Sequence, residues 1–171
     1  NSPESLYEKL FAEFQNQNYI DVIDQSNIYI NEFEGDAIVP KFEILKASAK
    51  GRLFGYESYK DAINYIALNY PNSEEGKKAK EILETVVPTF EDKVFKDDTV
   101  DRNCKVVYQF DYNASDEIDK FQKELNEETS KIGYLDLTAS KDVYDKNTTF
   151  IVVHGFNSIE AARGFGRLLK E

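Results

Sequence analysis

The chain has 171 residues, 41% hydrophobic and 13% aromatic, which suffices for one large or two small cores and is far from a disordered composition. Its formal net charge of −11 argues against nucleic acid as a partner, since neither half has the clustered Lys and Arg that phosphate binding needs. One cysteine, Cys104, excludes an intrachain disulfide and a thiolate metal cluster, and no run approaches the ~20 apolar residues of a membrane span.

In chain order, the first half has helical periodicity throughout. Ser2-Pro3 supplies a hydroxyl cap and a proline at the first helical position, after which Leu6, Leu10 and Phe14 recur at helical spacing with Tyr7 and Phe11 beside them. Tyr19, Val22, Ile23, Ser26, Ile30 and Phe33 mark a second helix. A third runs from Val39 through Phe42, Leu45, Ala49 and Leu53 to a stop at Gly55. A fourth carries Tyr59, Ala62, Ile63, Ile66 and Tyr70 and ends at Pro71; a fifth starts at Ser73 and continues through Ala79, Ile82, Leu83 and Val86. "YIDVI" at 19–23 returns as "YKDAI" at 59–63, and "EIL" at 43–45 returns at 81–83. Shifts of about 40 residues suit stacked helix pairs, each too small to bury its apolar face alone. On this basis Tyr19/Tyr59, Val22/Ala62 and Ile23/Ile63 are expected at equivalent buried positions.

The stretch "YKDAINYIALNYPNSEEGKKAKEIL" resembles the tetratricopeptide-like repeats of bacterial envelope lipoproteins, in which tyrosine-x-x-alanine-isoleucine precedes a tyrosine-proline-x-serine turn and another helix. The distance from Ala62 to Pro71 is shorter than usual, and the tryptophan-leucine-glycine signature is absent. The expected architecture of residues 1–87 is an all-α, tetratricopeptide-like repeat. Solenoids of this type line an inner surface with the first helix of each pair. The candidate partner-binding residues are therefore Tyr7 and Phe11 on the first helix and Ile44, Ser48 and Arg52 on the third.

Residues 88–103 read as a linker, with Pro88 and a charged tail. Beyond it, "CKVVYQFDY" alternates as a strand with one buried face, placing Val106, Tyr108 and Phe110 inward. A helix capped by Ser115 follows, with Ile118, Phe121 and Leu125 inward. Strands are expected near 134–139 and 148–154, joined by a hairpin-like connection at 141–147, before a last helix. The order β-α-β-β-α is that of a small ferredoxin-like α+β module over residues 104–171, lacking its final strand. Parallel pairing of the strands flanking its first helix, through a right-handed crossover, is the expected topology.

The corner "VVHGFNS" is diagnostic of no single chemistry by itself. A hydrolase would need a nucleophile elbow and a separate histidine base, but no serine stands between the nearby glycines of "GFG" and His154 is the sole histidine. A phosphate loop would need more than Gly155 before the helix. Packing explains the corner: Gly155 permits the turn, Asn157 and Glu160 form a capping box, and Ile159, Ala162, Phe165 and Leu169 point inward. Gly164 and Gly166 then suggest close approach of another backbone. The carboxylates of "DDTVD" (97–101) and "DEID" (116–119) lack calcium-loop spacing and read as solvated faces. No enzyme, cofactor or metal site is expected.

Taken with the helical half, Val152-Val153-His154-Gly155-Phe156-Asn157 resembles the C-terminal region of Bacteroidetes gliding-motility and type IX secretion lipoproteins of the SprE/PorW type, with His154 where a lysine is common. That resemblance implies a non-catalytic protein-interaction scaffold, periplasmic and anchored to the outer membrane through a segment outside this chain. The same residues also resemble the second half of a sporulation-related repeat, which implies binding to peptidoglycan; a general repeat adaptor is the third reading. The start at Asn1 and the lack of methionine lead us to expect an excerpt of a longer or processed protein.

Overall fold

The computed structural model describes residues 2–91, 103–133 and 136–169, and the chain divides into two compact units, Asn1–Val94 and Phe95–Glu171. In the first unit the helices are α1 (Pro3–Gln15), α2 (Tyr19–Glu32), α3 (Val39–Phe54), α4 (Tyr56–Asn69) and α5 (Glu74–Glu81). A π-helical turn at Ile82–Val86 then leads into a short α6 (Val87–Glu91). Local chemistry sets these bounds. Ser2 Oγ accepts the amide of Ser5 with Pro3 at the first helical position, Ser73 Oγ accepts the amide of Gly76, and Gly55 ends α3 at a φ of 87° that favours glycine. The expected linker at 88–103 therefore loses its first residues to helix. Val87 is buried, its carbonyl accepts the Tyr56 hydroxyl at 3.3 Å, and Phe90 lies against the Tyr56 ring; residues 92–102 fall outside the described ones.

Each helix from α1 to α5 packs on the next, and α1, α3 and α5 also touch in succession. α3 is consequently enclosed on several sides and buries Val39, Pro40, Phe42, Glu43, Leu45, Ala47, Ala49 and Leu53, which is why its apolar residues form no single stripe. Phe42, fully buried, gathers the rings of Tyr7, Tyr29 and Phe33 at centroid distances of 5.7, 5.4 and 6.4 Å. A second cluster joins Ala47, Ile63, Ile66 and Ala79 across α3, α4 and α5.

The expected equivalence of the repeated words is not met, since in none of the three pairs are both residues buried. Tyr19 and Val22 are buried and Ile23 half-buried, whereas Tyr59 and Ala62 are half-buried and Ile63 is buried. One turn on, Ser26 and Ile66 are both fully buried. The "EIL" words are not equivalent: Glu43 is buried, but Glu81 is exposed just before the π turn.

The second unit contains β1 (Cys104–Asp111), α7 (Ser115–Ile132), β2 (Thr138–Val143), β3 (Thr148–Phe156) and α8 (Ile159–Leu168). Its sheet has the order β1-β3-β2, with both neighbours antiparallel to β3. This corrects the expected parallel pair. β1 and β2, which flank α7, do run in the same direction, but β3 lies between them and takes the hydrogen bonds. The middle strand lies later than expected, at Thr138–Val143 rather than 134–139, so Lys141–Val143 belong to strand rather than to the connection; residues 134–135 fall outside the described ones. Alternation puts Ile151 and Val153 of β3 in a core with Ile118, Leu125, Phe156, Ala162 and Phe165, while Tyr108 and Phe110 meet the Phe121 ring at 4.9 and 5.2 Å.

The His-Gly corner is a β-bulge inside β3. Cys104 pairs with Phe156 but Val106 with Val153, so His154 and Gly155 together oppose Lys105. Gly155 takes a φ of 108°, and a Cβ there would stand 2.8 Å from the carbonyl oxygen of Asp136. The strand thus continues to Phe156, and the cap of α8 moves to Ser158, whose Oγ accepts the amide of Ala161 at 3.1 Å; Asn157 is not the cap. Ser115 is likewise the first residue of α7 and Ala114 its cap. Ile159 is half exposed rather than inward, and among the described residues nothing beyond the helix's own neighbouring backbone comes within 4 Å of where a Cβ on Gly164 or Gly166 would stand, so neither meets another backbone there.

Candidate partner-binding surface

The five candidate residues do not form one surface. Tyr7 is half-buried, stacked on Phe11 and edge-on to Phe42, so it belongs partly to the core. Phe11 is 41% exposed between Tyr7 and Phe14 and remains available to a partner. Ile44 packs against the Ala47–Ile63–Ile66–Ala79 cluster. Ser48 donates its hydroxyl to the Ile44 carbonyl at 2.9 Å. Arg52 donates through Nε to the Tyr19 hydroxyl at 3.2 Å with its guanidinium 5.8 Å from the ring centre, which ties α3 to the start of α2.

The structure instead brings together a groove between α3 and α4. Glu43, Lys46 and Lys50 of α3 face Ser58, Asp61, Ala62 and Tyr65 of α4. Glu43 and Lys46 form a 2.7 Å ion pair whose side chains are 5% and 14% exposed, so this wall is a desolvated pair rather than two mobile surface charges. Tyr65 is half exposed and also borders the neighbouring cleft at the helix ends, which is lined by Glu34, Asp36, Tyr70, Pro71 and Asn72 among others. It meets Tyr70 edge-on at 6.4 Å. Helical spacing predicts the burial of Ile63, but it says nothing of these partners across α3 and α4. The one sequence signal is the repeated "EIL", which begins at Glu43.

Burial pushes the Tyr70 hydroxyl up to about 12, with the Glu43 carboxylate, Tyr65 and Glu34 adding to the effect, against 10.0 for a free tyrosine. The folded state therefore holds a proton that the unfolded chain releases above pH ~10, so stability contributed here is intact below that pH and lost as the pH rises toward ~12. Urea midpoints measured across this alkaline window should fall more shallowly for Tyr70→Phe than for the native chain. Equal slopes would separate Tyr70 from Glu43.

In the second unit, Ser140 Oγ donates to Asp142 Oδ2 at 2.9 Å and lies 2.8 Å from His154 Nε2. Serine stands between acid and imidazole here, whereas a nucleophilic relay needs the imidazole in the middle. The chain of bonds links β2 to β3 on the side of the sheet opposite Ile151 and Val153. Among the described residues there is no group of three or more His, Cys, Asp or Glu side chains placed to hold a metal ion. No helix of the described residues is long and apolar enough to cross a membrane. No protein-family model matches the chain, and no curated protein shows significant similarity to it.

Proposed function

We propose that the first unit is a tetratricopeptide-like scaffold that binds a protein partner along the α3–α4 groove, that the second is a ferredoxin-like βαββα module, and that the chain catalyses nothing. The observation that carries the first point is the succession of contacts α1–α3–α5 beneath sequential packing of every helix on the next, as expected for stacked helix pairs. Ser26 and Ile66, 40 residues apart and both fully buried, support the repeat. The sheet order β1-β3-β2, with α7 joining the two outer strands, supports the ferredoxin-like reading. The groove offers a half-exposed tyrosine beside lysines and a fixed ion pair, a composition suited to a protein interface. The resemblance of Val152–Asn157 and of the helical words to envelope lipoproteins is the support for a periplasmic, outer-membrane-anchored role in type IX secretion and gliding.

The test is capture of envelope proteins on the immobilised chain, compared with a Tyr65→Ala/Lys50→Glu variant, alongside sedimentation with peptidoglycan sacculi. A specific protein retained by the native chain, and retained roughly tenfold less by the variant, is the expected result. Sedimentation with sacculi in place of protein capture would replace this reading with glycan binding.

A further inference from the structure

The edge of β1 is free among the described residues, since β1 pairs only with β3. Tyr112 donates its amide to the Asn147 carbonyl at 2.8 Å, which continues the register of Val107 with Val152. Antiparallel alternation then turns the backbone groups of Phe110 and Tyr108 toward β3 and those of Val107 and Gln109 outward, unpaired. Beside this edge runs a groove walled by α8, lined on the strand side by Lys105, Val107 and Tyr108 and on the helix side by Ile159, Arg163 and Arg167. Val107 and Ile159 are 51% and 50% exposed.

Charge identifies the occupant. In a chain of net charge −11, this groove has three cations and no acid among its lining residues, and none of Lys105, Arg163 and Arg167 is in an ion pair among the described residues. A lysine on an edge strand is by itself an ordinary guard against aggregation. Two arginines one turn apart on the adjoining helix, unpaired in a protein with abundant carboxylates, are not explained that way. We propose that the β1 edge and α8 form a docking groove for an extended acidic strand of another protein. The strand would add to the sheet by main-chain hydrogen bonds, with carboxylates at alternate positions toward Arg163 and Arg167 and apolar residues between them beside Val107. A second copy fits less well, because two-fold pairing of β1 edges brings the arginine flanks of the two α8 helices together. This site does not depend on the groove between α3 and α4.

The probe is a short labelled peptide of alternating glutamate and valine, titrated by fluorescence anisotropy against the full chain, with a lysine–valine peptide as control. Saturable, salt-sensitive binding of the acidic peptide alone is expected, weakened at least about tenfold by Arg163→Glu/Arg167→Glu. Amide shift changes confined to β1 and α8 on adding the peptide should accompany it, and they report on the folded native chain whether or not the variant is stable. Equal binding of both peptides, no binding, or shifts elsewhere would overturn the proposal. So would concentration-dependent dimerisation through β1 in place of peptide binding, or slow hydrogen exchange of the Val107 and Gln109 amides without peptide, which would mean that the final strand of the ferredoxin-like order already occupies this edge.

Discussion

Replacing Ile63 with aspartate should cost about 4 kcal/mol or more, most of the stability of a typical domain. Ile63 is 1% exposed and sits at the join of three helices, against Ala47 of α3, Ile66 of α4 and Ala79 of α5. Two losses combine. The buried side chain forfeits roughly 2–3 kcal/mol of transfer free energy, and a carboxylate enters a site whose lining is apolar, where it must stay protonated or remain unpaired. Asn64, the next residue, is exposed, so Asn64→Asp should change stability by no more than about 0.5 kcal/mol. Urea denaturation of the two variants measures the difference. Comparable midpoints would mean that α4 does not bury this face.

The second large effect is at Gly76, in the first turn of α5. A Cβ there would overlap the carbonyl oxygen of Tyr70 and stand 2.6 Å from its carbonyl carbon, contacts that no side-chain rotation relieves because both atoms are backbone. The same carbonyl accepts Ser73 Oγ at 2.9 Å and the Ser73 amide at 3.1 Å, while Ser73 Oγ caps the Gly76 amide at 2.9 Å. The turn from α4 to α5 is thus closed by a net of short bonds around a glycine, and any side chain must open it. Gly76→Ala should cost about 3 kcal/mol or more, although alanine is the better helix former by roughly 1 kcal/mol. Thermal melting that shows a neutral or stabilising change would contradict this geometry.

These two positions also mark what the sequence discloses. The α4 face is legible because an isolated apolar period of 3.6 has one interpretation once Gly55 and Pro71 bound it. The role of Gly76 is not, because "SEEGKKA" reads as an ordinary polar helix start, and only the folded path of Tyr70 makes the missing Cβ necessary. In the second unit the alternation of β1 correctly gives its inward face. Strand pairing escapes the sequence because it depends on where a third strand inserts, which no local pattern encodes. The His154-Gly155 pair reads as a strand end since glycine before Asn-Ser suits a helix entry equally well. The extra residue of a bulge becomes visible only in the register against Cys104 and Val106. Asn157 and Ser158 are both good caps, and the two additional strand residues decide between them.

For the candidate site, the stripe of Ile44, Ser48 and Arg52 follows from spacing alone, and spacing cannot tell a free face from one covered by a neighbouring helix. Arg52 is held by Tyr19, and Ile44 lies against the α4–α5 cluster. The groove on the other side of α3 combines residues 43–50 with 58–65, a pairing set by how two antiparallel helices align and not by either helix by itself.

The central claim, that this groove receives a protein, is tested most directly by a photo-crosslinking residue placed at Ser58 in the chain expressed in its native cells, with the same residue at exposed Asn27 on α2 as the control. A discrete crosslinked protein at Ser58, absent at Asn27 and lost with Tyr65→Ala, is the predicted result. Crosslinks of equal pattern at both positions, or none at Ser58 while the chain remains folded, would contradict it.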